Sequence, residues 1–249
     1  MRPLRVLAAG AAALAVAAGQ VFGVVDLPSF QRAAGYCLSA EKAMKAGNLK
    51  RAKENLASAL RIMPALPAVH MGLGHVALTE KRYEDSLREY EKARDCYAEV
   101  ARALLSLQVK DYTDSRHEIV ALEDEIRNQT KLSPVVYRLN RLEAAIERLQ
   151  RMEPPNRRKG EEPPADIDFY IGNALFHLGR LQDATASWRS CLRSDDRYGP
   201  AYQNLAAGYS MMGRFEDARA TVAAAERLGF AVDPSLKAEI ERNSPHLAN

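Results

Sequence analysis

Small and large apolar residues hold fixed places along this chain. The junction GRFEDA (213–218) is copied as GRLQDA (179–184), as GNLKRA (47–52) and, more loosely, as KRYEDS (81–86). Ala52 to Ser86 is thirty-four residues, and Ala184 to Ala218 is thirty-four again. Twelve residues before each of these four small residues sits another: Ala40, Gly74, Gly172 and Ala206. Seven residues after them stand Ala59, Ala93, Cys191 and Ala225, and three residues before them Leu49, Tyr83, Leu181 and Phe215. The pattern predicts helical hairpins. Small residues at matched places let two antiparallel helices approach, the large apolar residue fills the wedge behind the turn, and the glycine before the turn takes the left-handed conformation that ends the first helix. Each hairpin keeps an apolar face that only a neighbouring hairpin can bury.

This 34-residue helix–turn–helix unit resembles the tetratricopeptide repeat. On that resemblance the chain holds four copies, Ala33–Leu66, Pro67–Val100, Ala165–Tyr198 and Gly199–Val232. The family's closing proline appears only as Pro64. Its early aromatic appears as Tyr36 and Tyr202, and is replaced by His70 and Asp168. The resemblance implies an all-α fold, a helical-hairpin repeat solenoid of four repeats in two pairs, interrupted by long insert helices. It also implies a groove lined by the first helix of each repeat, which holds an extended peptide or a partner helix. The peptide-binding residues it points to are Asn173, Asn204, Tyr170, His177, Gln203 and Phe169. The two asparagines stand where family members hydrogen-bond a peptide backbone, a role that suits an amide because it donates and accepts together. Phe169 stands where the chaperone-tail readers carry a lysine, which argues against a carboxylate clamp. The first pair offers Cys37, Glu41, Met71 and His75, a less polar surface that is not read as a site.

Ser86 to Ala184 is ninety-eight residues, no multiple of the period. KDYTDS (110–115) echoes the earlier turn, so the second helix of the second repeat is expected from Glu84 to about Gln108, with a return helix from about Thr113 to Asn128. Ser133–Met152 reads as a further helix, capped by Ser133 with Pro134 in its first turn. Its apolar positions Leu132, Val135, Leu139, Leu142, Ile146 and Leu149 have coiled-coil spacing over fewer than three heptads. They pack either on this chain's own helices or on a partner, a homodimer included. Glu153–Asp166, with four prolines, reads as a linker. The expected domains are residues 30–152, the first pair with the insert, and residues 167–249, the second pair with a capping helix over Asp233–Arg242.

Composition sharpens this picture in two places. The formal charge of +3 on 249 residues gives no reason to expect a nucleic-acid partner. The run Val6–Val25 carries no charge over twenty residues and follows Arg2 and Arg5. It reads as a cleaved secretory signal or as an uncleaved membrane anchor, and either places the body outside the cytoplasm, in a bacterial periplasm or at a membrane. Three cysteines, Cys37, Cys96 and Cys191, allow at most one internal disulfide. The five histidines show no metal-ligand spacing, and no phosphate loop, nucleophile elbow or C-x-x-C occurs. No cofactor and no enzyme activity is expected. The function expected is a non-catalytic scaffold for a protein or peptide, with a structural subunit of a cell-envelope assembly, oligomerising through the insert helices, as the alternative.

Overall fold

The computed structural model describes residues 27–127, 144–149, 151–152 and 164–244. Among these residues every regular element is helical. The helices are α1 (Leu27–Lys45), α2 (Leu49–Ile62), α3 (Pro67–Thr79), α4 (Tyr83–Arg127), α5 (Ala165–His177), α6 (Leu181–Ser194), α7 (Gly199–Met211), α8 (Phe215–Arg227) and α9 (Pro234–Asn243). The apolar run Val6–Val25, most of the expected coiled-coil seam and the linker up to residue 163 lie outside the described residues. No described helix is long and apolar enough to cross a membrane.

The hairpins α1–α2, α3–α4, α5–α6 and α7–α8 fall where the repeats are expected. Their turns share one chemistry. Gly47, Gly179 and Gly213 have φ of 73°, 75° and 71°. At each turn the glycine N–H and the N–H after it donate back into the last turn of the first helix, for example Gly213 to Ser210 and Arg214 to Tyr209, both at 2.9 Å. These two bonds satisfy carbonyls that the ending helix leaves open. At the second hairpin Lys81 makes the same turn with φ of 59°, a conformation that costs a residue with a Cβ. Lys81→Gly should therefore raise stability by about 1 kcal/mol, read as a higher urea midpoint. Gly213→Ala should lower it by a similar amount.

The small residues are fully buried, among them Ala40, Ala52, Ser86, Ala93, Ala184, Cys191, Ala218 and Ala225. Ser86 keeps its hydroxyl satisfied by donating to the Gly74 carbonyl at 2.9 Å. Where the early aromatic is missing, a different side chain does its work. The Tyr202 hydroxyl donates to the carbonyl of Asp196, six residues upstream, at 3.0 Å, and His70 Nε2 donates to the carbonyl of Pro64, again six upstream, at 2.7 Å. Both bonds tie a repeat to the loop that leads into it. Asp168, an acceptor only when ionised, cannot make that bond.

Two expectations are corrected. The return helix from Thr113 does not form, because α4 runs unbroken for 45 residues, through the whole KDYTDS echo. That stretch has neither glycine nor proline to stop a helix and no left-handed residue to turn one. The chain returns instead by a later helical segment over 144–149, antiparallel to α4: Arg148 pairs with Glu118 at 3.3 Å and Ser115 Oγ lies 3.7 Å from Met152 Sδ. Of the expected seam, Ala145 beside it is buried, Ile146 is exposed and Leu149 half-buried.

The second correction concerns the domains. The two pairs do not fall into separate units. Asp26–Ala98 and Glu162–Asn249 make one compact unit and Glu99–Glu161 another. Leu87 and Tyr90 of α4 share a core with Ile167, Ile171 and Leu175 of α5 and with Trp188, Leu205 and Tyr209 beyond. The physical reason is the face that every hairpin must bury. The apolar stripe Ile167, Ile171, Ala174 on α5 matches Val69, Leu73, Val76 on α3, and both need a preceding hairpin. On α1 the same positions are Gly35, Ser39 and Lys42, all exposed, so the first hairpin presents a polar outer face. At the other end α9 inserts Ile240 into the core.

Candidate functional site

The first helices α3, α5 and α7 carry the candidate site, and the second helices hold it in place from behind. In the second and third hairpins an aromatic ring reaches across from the second helix over a glycine of the first. A Cβ on Gly74 would come within 2.5 Å of the Tyr90 ring, and one on Gly172 within 2.5 Å of the Trp188 indole nitrogen. The glycines let the rings through, and each ring then hydrogen-bonds the next residue of the first helix. The Tyr90 hydroxyl lies 2.7 Å from His75 Nδ1, and Trp188 Nε1 donates to Asn173 Oδ1 at 3.1 Å. In the first and fourth hairpins the glycine is replaced by Ala40 and Ala206, and the ring by Leu56 and Val222. No such bond is available there.

Asn173 and Asn204 are joined. Asn204 Nδ2 donates to Asn173 Oδ1 at 2.8 Å, the same oxygen that accepts from Trp188. An indole N–H is a donor only, so the Asn173 oxygen must face it, and Asn204 must then present its nitrogen to that oxygen. The Asn173 amide nitrogen and the Asn204 carbonyl oxygen are left without a partner among the described residues, yet neither is sealed from solvent. The pair therefore offers two N–H donors from one residue and one acceptor from the other.

The remaining expected residues divide. Tyr170 belongs with the pair: it meets the His75 ring edge-on at 4.3 Å and stacks on Tyr90 at 5.5 Å, joining the second and third hairpins. Phe169 is half-buried and packs against Tyr170 and Tyr198, with ring centres 5.3 and 5.0 Å away. His177 stacks on Tyr83 at 4.5 Å, near the turn of the second hairpin. Gln203 has its carbonyl committed elsewhere, accepting from the Asp233 backbone N–H at 3.0 Å, which ties α7 to the start of α9. His75, set aside in the sequence, is brought against Tyr170. Its signal was present as the glycine before it and the tyrosine fifteen residues after it, which Gly172 and Trp188 match at Asn173.

The electrostatics are those of a nearly neutral surface. Burial lowers the His75 imidazole to about 4, opposed by the charge of Glu41. Burial also raises the Tyr90 and Tyr170 hydroxyls and the Asp166 carboxyl. The ammonium of Lys45, in the last turn of α1, is paired with Glu41 at 2.6 Å. None of the three cysteines forms a disulfide, and burial pushes the thiols of Cys37 and Cys191 up to about 12. Among the described residues no group of three His, Cys, Asp or Glu side chains is arranged to hold a metal.

No family model matches the sequence, and neither does any curated protein. The chain is similar to solved tetratricopeptide-repeat proteins. One is TTC0263, a thermophilic protein of Thermus thermophilus, with 19% identity and a TM-score of 0.37, over 85% of this chain and 98% of that one. Another is YrrB, described as having an unusual peptide-binding site, with 15% identity and a TM-score of 0.30, over 83% of this chain and 90% of that one. A third is MamA AMB-1, with 19% identity and a TM-score of 0.27, over 79% of this chain and 98% of that one.

Proposed function

We propose that this chain is a non-catalytic interaction scaffold that holds a peptide or a partner helix against the first-helix face of its third and fourth hairpins. The observation that carries this reading is the Asn173–Asn204 pair. One amide presents donors and the other an acceptor, both without a partner among the described residues, and a peptide unit offers the complementary carbonyl and N–H. A half-buried polar group is costly to leave unmatched, so a partner that supplies both bonds gains what water would otherwise supply. Tyr170 and Phe169 lie beside the pair as apolar surface for the partner's side chains.

Export of the chain, by a cleaved signal or with Val6–Val25 kept as an anchor, belongs to the same proposal and rests on the sequence. So does a location in a bacterial periplasm or at its membrane. Asn173→Ala combined with Asn204→Ala should abolish capture of the partner in crosslinking and pull-down from the native host, while far-UV circular dichroism keeps its helical signal. Undiminished capture by the double variant would remove the groove from the proposal.

A further inference from the structure

Two asparagines bonded to each other have two equivalent arrangements. Either one can donate while the other accepts, and the outward-facing groups exchange when the pair flips. On this surface the degeneracy is broken from behind, because the Trp188 N–H needs an acceptor and, among the described residues, finds it in Asn173 Oδ1 at 3.1 Å. The second hairpin repeats the device. The Tyr90 hydroxyl is fully buried, with His75 Nδ1 at 2.7 Å and the Ser86 hydroxyl as its hydrogen-bonding neighbours. When that hydroxyl donates to Nδ1 and not to the Ser86 oxygen, the imidazole proton is placed on Nε2, which has no partner among the described residues.

We propose that Tyr90 and Trp188 are positioning residues that reach over Gly74 and Gly172 to fix His75 and Asn173 as outward donors. The face so set reads an extended, uncharged stretch of peptide through two carbonyls and, at Asn204, one N–H. This rests on the scaffold reading above and adds the residues that set its polarity, a third contact at His75 and the class of ligand. Tyr170 lies against His75 and next in chain to the helix turn of Asn173, so an apolar side chain of the peptide is received there. A terminal carboxylate is not the ligand. Glu41 acts on His75 and Asp166 on Tyr170, and the Lys45 ammonium is already taken by Glu41.

The full chain provides a test that needs no ligand. Asn204→Asp sets a carboxylate against Asn173 Oδ1, which the indole prevents from turning away, so this variant should melt below the wild type. Adding Trp188→Phe frees Asn173 to flip and donate to the new carboxylate. The double variant Trp188→Phe with Asn204→Asp should therefore melt above the Asn204→Asp single variant, although it loses an additional native group. If Trp188 only fills space, the double variant melts lower, and the positioning role is overturned. Nitrogen-15 shifts of His75 should show the proton on Nε2, and a proton on Nδ1 would overturn its role as an outward donor. For the ligand class the probe is a random decapeptide library, acetylated and amidated at its ends, alongside the same library with a free carboxylate. The end-blocked library should yield binders that Asn173→Asp weakens by about tenfold or more, since that change keeps both internal bonds and removes both donors. Preference for the free carboxylate overturns the ligand class. A failed melting test with end-blocked binders still sensitive to Asn173→Asp leaves the scaffold reading standing without the positioning role. The absence of end-blocked binders ends both.

Discussion

Trp188→Ala should lower the unfolding free energy by about 3–5 kcal/mol, measured by urea denaturation followed by far-UV circular dichroism. Trp188 is the largest side chain that the array buries completely. Its indole fills the space over Gly172 and lies 2.5 Å from where a Cβ there would sit. On its other side a Cβ on Gly208 would come within 3.0 Å of it. It also meets the Phe176 ring at 5.8 Å. Neither glycine has a side chain that could swing into the vacated volume, so the walls relax little and the cost stays in the upper part of the range for truncated aromatic residues. Because hairpins of a stack touch only their neighbours, the loss falls on α5, α6 and α7 and weakens the join across which the two pairs share a core. Trp188→Phe keeps a ring in the same slot and should cost clearly less. Equal losses for the two variants would show that the filled volume is not what Trp188 contributes.

How much of this was legible in the sequence depends on how local the cause is. The hairpin register was readable because Ala52, Ser86, Ala184 and Ala218 are small for a local reason, the approach of two helices joined by a short turn. The turn glycines were readable for the same reason, and Lys81 shows that the turn survives even where the favoured residue is missing. The length of α4 was misread because KDYTDS resembles a turn in its side chains but has no glycine to make one. The joining of the two pairs across 98 residues was not read either, although the stripe Ile167, Ile171, Ala174 on α5 already called for a preceding hairpin. At the site, Asn173 and Asn204 were visible as residue types in a register. Their orientation was not, because it comes from Trp188, fifteen residues on and on a different helix. His177 and Gln203 occupy the same register, yet their ring and carbonyl are engaged by Tyr83 and Asp233. Register identifies which residues share a face, and only packing shows which of them are left with something to offer.

Acidification from pH 6.5 to pH 4 should cost the array up to about 3 kcal/mol through His75. Its imidazole is held down to about 4 in the folded chain, against an ordinary value of 6.5. Between these two values the unfolded chain binds a proton that the folded chain refuses, so stability rises with pH through this window and is lost as pH falls. The groups that face the ring explain the refusal: the Tyr90 hydroxyl lies 2.7 Å from Nδ1 and the Tyr170 ring packs edge-on at 4.3 Å, leaving only the charge of Glu41 to favour the cation. Two carboxyls also contribute near the acid end. Burial raises Asp166, so the folded chain keeps its proton longer than the unfolded one and opposes the His75 trend. Glu89 is held below its ordinary value, where burial is outweighed by hydrogen bonds from His70 and Lys92, so it adds to the acid loss. Comparison with His75→Gln isolates the histidine, since a glutamine keeps a polar group for Tyr90 and does not titrate. The difference in unfolding free energy between wild type and variant should shift by up to about 3 kcal/mol across the window in urea titrations at stepped pH. A difference that stays constant from pH 4 to pH 6.5 would mean that His75 accepts its proton as readily in the folded chain as in the unfolded one. The buried contact between the second and third hairpins would then not be what keeps it neutral.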